Sequence, residues 1–245
     1  MTHKRAIRPV VDILRRPDGP RDRQLLYGDT VTVAEETNGW SRITSDKDGY
    51  SGWVSSVQLG GLSPQTHWVL APATHAYDQP DMKSPDLVSL SLGSKIRALS
   101  EEEGFLETEL GYVPRVHTVP AYTRLNDPVA VSEQFLGTPY LWGGNSRFGL
   151  DCSGLIQAGL LACGIPCPGD SDDQERDLGN PLTPGEPARR GDLIFWKGHV
   201  AWVAGDNLLL HANAYHMAVA FEAMDQAIAR IKQQGDGPVT VRKRL

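Results

Sequence analysis

No stretch of this chain approaches the roughly 18 consecutive apolar residues of a spanning helix, so a membrane-crossing segment is not expected. The first ten residues, Met1 to Val10, include basic side chains but no apolar run behind them. That lacks the pattern of a secretory signal, and a cytoplasmic protein is expected. Positive charge is also short: 24 Lys and Arg stand against 30 Asp and Glu, a net charge of −6. Nucleic acid and anionic membrane are therefore disfavoured as partners. Cysteine is scarce. The three present, Cys152, Cys163 and Cys167, are an odd number, which argues against a disulfide framework. Cys163 and Cys167 have the spacing of half a zinc site, but a second ligand pair is missing, so neither metal nor cofactor is expected.

What is present suits a soluble, multidomain globular protein. Hydrophobic residues make up 40% and charged residues 22% of the chain, both ordinary values, and 245 residues predict two or three domains. The first 120 residues contain a faint repeat. Leu26-Tyr27-Gly28-Asp29-Thr30-Val31 is echoed by Ser91-Leu92-Gly93-Ser94-Lys95-Ile96, Asn38-Gly39-Trp40 by Glu103-Gly104-Phe105, and Gly49-Tyr50 by Gly111-Tyr112. Short alternating runs at 30–34, 40–44 and 95–99 read as strands broken by Gly, Asp and Asn turns.

The second half is organised around Asp151-Cys152-Ser153-Gly154. The preceding run, 138–145, is rich in aromatics, Pro and Gly and reads as a loop. After Cys152, the positions of Leu155, Ile156, Gly159, Leu160 and Cys163 bury one face of a helix that Gly164 and Pro166 stop. Cys152 then sits in the first helical turn, where backbone N–H groups and the helix dipole stabilise a thiolate and can hold an oxyanion. A lone cysteine is more often a small buried hydrophobe. Two histidines change that balance.

Those histidines flank Gly205-Asp206-Asn207, read as the turn between two strands. Side chains alternate faces, so His199 and His211 share a face only when the register across the hairpin has the right parity. A three-residue loop pairing Ala204 with Leu208 achieves this. His199 is then the candidate general base, and His211 orients it as an acceptor. Taken singly, each could be a core histidine satisfied by a carbonyl. Further on, Pro128 at the start of a helix capped by Asp127, a short helix ending near Gly179, a strand at 193–196, a helix at 223–234 and a strand at 239–242 complete an α+β reading.

Five segments in order carry a family resemblance: Pro139-Tyr140-Leu141-Trp142-Gly143-Gly144, Asp151-Cys152-Ser153-Gly154, Arg190-Gly191-Asp192-Leu193-Ile194-Phe195-Trp196, Gly198-His199-Val200-Ala201 and His211-Ala212. They resemble the motifs of the NlpC/p60 cysteine peptidases over about residues 125 to 245. Gly-Tyr-Ser-Gly-Trp-Val at 49–54 resembles the closing strand of bacterial SH3-like domains. The resemblance implies a papain-like catalytic domain at 123–245, preceded by SH3-like barrels at 1–62 and 63–122. It also implies Cys152 as nucleophile, His199 as base and His211 as third residue.

Asp170-Ser171 resembles, with Gly169 in place of the usual Arg, the segment of the murein-peptide-recycling subgroup in which the Asp binds the free amine of an N-terminal L-alanine. By the same resemblance Asp29 and Tyr50 of the first barrel would complete the amine pocket; the alternatives are a turn residue and a packing residue. Tyr140 is read as placing a hydroxyl near the oxyanion, and Trp142 as a pocket wall or, preferably, a core aromatic. Ser153 is read as contributing its backbone or hydroxyl to substrate. The expected activity is hydrolysis of the γ-D-glutamyl to L-diamino acid bond in short murein peptides, by a monomer. The alternatives are an exported peptidoglycan hydrolase with wall-binding barrels, and a non-catalytic wall-binding protein.

Overall fold

The computed structural model describes residues 2–245. The described chain divides into two compact units, residues 2–123 with 145–147, and residues 124–144 with 148–245. None of the described helices is long and apolar enough to cross a membrane.

The first unit is all β apart from two 3₁₀ turns. Its N-terminal part is a seven-stranded antiparallel sheet in the spatial order Arg21–Leu26, Val10–Leu14, Ser51–Ser55, Trp40–Ser45, Thr30–Thr37, Thr2–Ala6, Leu59–Gly60. Alternation builds the core: Val11 and Ile13, Val31 and Val33, and Ile43 face inward, while Thr30 and Thr32 are half-exposed. A five-stranded sheet (Asp86–Ser91, Ala73–Tyr77, Gly111–Pro114, Phe105–Thr108, Ser100–Glu102) follows, with a three-stranded one made of Lys95–Ile96, His67–Val69 and Thr118–Pro120. These share a second core that includes Val69, Leu90, Ile96 and Val113.

The repeat seen in sequence is written in the backbone. Asn38 and Gly39 have φ of 48° and 80°, and Glu103 and Gly104 have 49° and 82°. Both pairs form the two-residue turn with positive φ at both positions that matches strand twist in a hairpin. Gly28 and Gly93 are likewise left-handed. The strand expected at 95–99 ends at Ile96 instead. At Ala98 the backbone N–H is taken by the Thr66 hydroxyl at 2.8 Å, and pairing resumes only at Ser100 in the other sheet.

Two ionic clusters tie the halves of this unit together. Arg5 donates to the Tyr27 hydroxyl and to Glu109, at 3.1 and 2.8 Å, and Tyr27 donates to Glu109 at 2.5 Å. Burial and the Glu109 bond push the Tyr27 phenol up to about 12. Asp29 is the second centre, buried at 3% exposure, with Lys47 at 2.7 Å, Lys95 at 3.1 Å and the Leu26 N–H at 3.0 Å on its carboxylate. Burial opposes its ionisation, but the two ammonium groups outweigh that and hold the carboxyl well below the usual range. The reading of Asp29 as a ligand for a substrate amine is therefore corrected: its charge is already matched by two lysines. Tyr50 is half-buried and packs against the core of residues 6–59.

Replacing Asp29 by Asn should lower unfolding free energy by about 3 kcal/mol, since Lys47 and Lys95 then lose their counter-charge. Because the folded state keeps Asp29 ionised, the unfolded chain binds the proton first as pH falls below about 4. Wild-type stability should thus decline with acid more steeply than that of the variant, as read from denaturant midpoints across pH 3 to 6.

The second unit has four helices, α1 (Pro128–Glu133), α2 (Cys152–Ala162), α3 (Ser171–Asp177) and α4 (Met224–Gln234). Its antiparallel six-stranded sheet runs Asn180–Pro181, Val241–Arg244, Leu193–Trp196, His199–Gly205, Leu208–Asn213, Ala218–Ala223. Asp127 caps α1 through Ala130 N–H at 2.9 Å, with Pro128 in the first turn. The last strand begins at Val241, two residues later than the pattern suggested. Gly159 lets α1 lie close to α2: a Cβ there would stand 2.5 Å from the Pro128 carbonyl oxygen. One face of the sheet packs Ile194, Trp196 and Val203 against Ala227 and Ile231 of α4.

Candidate active site

Cys152 opens α2 and is 7% exposed. Asp151 is its N-cap, accepting from Gly154 N–H at 2.7 Å with one oxygen and from Gly143 N–H at 2.9 Å with the other. One carboxylate thus fixes the helix start and pins the Gly143 end of the aromatic loop beside it. It also takes the Gly154 N–H, one of the first-turn N–H groups expected to hold an oxyanion. Ser153 directs its hydroxyl to Asp151 at 3.3 Å, and its carbonyl accepts from Gln174 Nε2 at 2.9 Å. Both groups thus help to anchor the start of α2.

α2 packs against the strands His199–Gly205 and Leu208–Asn213, which carry the two histidines. The parity argument holds by a different device. Gly205 pairs with Leu208 across the two-residue turn Asp206-Asn207, and the register slips by one between Val203 and Gly205. That bulge at Ala204 restores the pairing of Trp202 with Leu210. The positions upstream of the bulge therefore face as they would with the expected odd loop. His199 Nε2 and His211 Nδ1 lie 2.9 Å apart as a result. His211 is fully buried and His199 half-buried, with the Trp196 ring 5.6 Å away. Burial is the main cause that holds the His199 imidazole well below its usual range, reinforced by His211 and Arg230. His199 is neutral at physiological pH, the form that accepts a proton.

Sequence reasoning missed Glu222, whose Oε2 lies 3.0 Å from His211 Nε2. Burial works against its charge, yet the His211 bond and Arg230 keep its carboxyl below the usual range. Glu222 falls on the strand after the hairpin, two residues from Ala220, which pairs with His211, and so on the same face. Gln174 was also missed. Fully buried, its Nε2 reaches the Ser153 and Pro168 carbonyls, both at 2.9 Å, and so ties α3 to the first turn of α2.

Asp170 occupies the N-cap position of α3 without making a side-chain capping bond, and Ser171 follows as the first helical residue; both are half-buried. Tyr140 is half-buried, its N–H donating to the Met217 carbonyl at 2.9 Å. Trp142 is 69% exposed, so the preference for a core aromatic is overturned. Cys167 is buried and Cys163 ends α2, where burial pushes its thiol up.

A cysteine heading a helix, packed on an antiparallel sheet that bears a histidine pair backed by a carboxylate, is a layout for thiol–imidazole chemistry. Residues 137–234 match the NlpC/P60 family, and residues 13–59 match the bacterial dipeptidyl-peptidase Sh3 domain. The chain is 31% identical over 222 residues to the gamma-D-glutamyl-L-lysine dipeptidyl-peptidase of Bacillus subtilis (strain 168), covering 77% of this chain and 71% of that protein. The protein of the same name from Bacillus cereus (strain ATCC 10987 / NRS 248) is 28% identical over 225 residues, 78% of this chain and 67% of its own. A crystal structure of an NlpC/P60 family protein from Bacillus cereus ATCC 10987 superposes with a TM-score of 0.82 over 99% of both chains, at 20% identity, and so shares the fold. The chain belongs to the NlpC/P60 family, with an SH3 domain near its N-terminus.

Proposed function

We propose that the chain is a cysteine peptidase that hydrolyses the γ-D-glutamyl to L-diamino acid bond of short murein peptides with a free N-terminal L-alanine. The observation that carries this reading is the His199–His211 pair, Nε2 to Nδ1 at 2.9 Å, held on two strands against which α2, the helix that Cys152 opens, packs. The names of the two Bacillus relatives support the bond and the removal of a dipeptide.

In this reading His199 takes the Cys152 proton, and the sulfur attacks the γ-carbonyl carbon of D-glutamate. The tetrahedral intermediate collapses, the C–N bond breaks, and His199 returns the proton to the leaving amine. Water, deprotonated by His199, then cleaves the thioester and regenerates the thiol. Asp170, at the N-cap position of α3, holds the substrate ammonium in a charge-assisted hydrogen bond. Tyr140 and Trp142 belong to the peptide-binding surface. The domain plan that goes with this is two SH3-like modules, 1–62 and 63–122, and a catalytic domain at 123–245. The two backbone repeats of the hairpin turn, at Asn38-Gly39 and Glu103-Gly104, support the second module.

The test compares L-Ala-γ-D-Glu-L-Lys with its N-acetylated copy. Loss of the ammonium should lower kcat/KM by about a hundredfold, as expected for a charge-assisted contact of about 2–3 kcal/mol. Equal rates on both peptides would remove the amine anchor, and no hydrolysis of either would remove the bond assignment.

A further inference from the structure

The contacts behind His199 extend past His211 into a buried ion pair. Glu222 has a side chain only 8% exposed. Arg230 of α4 grips both its oxygens, Nε to Oε1 at 2.9 Å and Nη2 to Oε2 at 2.7 Å. Arg230 in turn lies over the Tyr215 ring, 4.5 Å from its centroid. The carboxylate therefore has little freedom to rotate or to leave.

Hydrogen-bond polarity now runs through the whole chain. An ionised carboxylate can only accept, so His211 must carry its proton on Nε2. In a neutral imidazole the other nitrogen, Nδ1, is then an acceptor. It faces His199 Nε2 at 2.9 Å, which must be the donor. His199 is left with Nδ1 as its basic nitrogen. Were His211 protonated on Nδ1 instead, His199 Nε2 would have to accept and Nδ1 would hold the proton, so the base would point the wrong nitrogen at its substrate proton.

The geometry points to Glu222, clamped by Arg230, as a positioning residue that selects the tautomers of both histidines and so decides which nitrogen of His199 is the base. This rests on the reading of His199 as general base, but its structural half does not depend on the substrate. Its reach is considerable: a side chain two hydrogen bonds from His199 decides where that residue's single proton sits.

The experiment uses the full chain with ¹⁵N-labelled histidine and long-range ¹H–¹⁵N correlations near pH 7.5, with His199 and His211 assigned by substitution. Wild type should show both rings neutral and protonated on Nε2. Glu222→Gln keeps an oxygen able to accept from His211 while losing one Arg230 bond, so it should retain both tautomers and most of the activity. Glu222→Ala should give mixed tautomers and a kcat about a hundredfold lower at nearly unchanged KM, within the range of a general-base contribution. Wild-type protein with His211 protonated on Nδ1 would overturn the proposal. So would a folded Glu222→Ala variant with both rings still protonated on Nε2. If the tautomers behave as described while no murein peptide is cut, the substrate assignment fails and the positioning role stands.

Discussion

Replacing Cys152 by alanine should reduce kcat/KM on the γ-D-glutamyl peptide by about five to six orders of magnitude, the scale seen when a hydrolase loses its nucleophile. The neighbouring hydroxyl cannot take over, because Ser153 Oγ donates to Asp151 at 3.3 Å and its backbone is held by Gln174. Nor can the other thiols. Cys167 is buried, and Cys163 sits at the far end of α2, a full helix length away. The fold should be nearly unaffected. Removing one sulfur from a side chain at the helix start leaves a small void, worth about 1 kcal/mol at most, and Asp151 still caps α2. The measurement is initial rate on the tripeptide beside a thermal melt of the same sample. Retained activity in a folded Cys152→Ala protein would end the thiol mechanism and leave a binding protein.

Much of this site could be read from residue spacing because each part of it obeys a local rule. The Gly164 and Pro166 stop and the apolar positions 155, 156 and 160 define α2, whose observed span is Cys152–Ala162. Strand alternation brings His199 and His211 to one face. The structure reaches that alternation through a bulge at Ala204 rather than a longer loop, since a bulge and an added loop residue have the same effect on parity. What could not be read depended on distant partners. Asp29 looks like a turn residue or an anion waiting for a cation. Only the meeting of Lys47 and Lys95, 18 and 66 positions away, shows that its charge is spent inside the fold. Trp142 looks like a core aromatic by composition, and whether the loop turns that ring inward is a tertiary matter. Glu222 was hidden because the strand Ala218–Ala223 carries weak alternation, with an exposed Phe221 between half-buried neighbours.

His199→Ala is the second large effect, and it tests the base separately from the nucleophile. The imidazole is neutral because burial, His211 and Arg230 all disfavour its charge, and its proposed role is to accept the thiol proton as the sulfur attacks. Without it, attack needs thiolate formed by bulk hydroxide, and a free cysteine titrates near 8.5. The variant should lose about four orders of magnitude in kcat/KM at neutral pH, the upper range of general acid–base catalysis. Its residual rate should climb with pH up to the thiol pKa instead of reaching a plateau near neutrality. The leaving amine imposes a further penalty that pH cannot repair, since no group remains to protonate it. Alkylation by iodoacetamide separates the two losses because it needs the thiolate but no leaving-group acid. Cys152 alkylation in His199→Ala should be slow at neutral pH and recover at high pH, whereas peptide hydrolysis stays low throughout. Equal recovery of both with rising pH would confine His199 to thiol activation and assign the leaving-group proton to another donor.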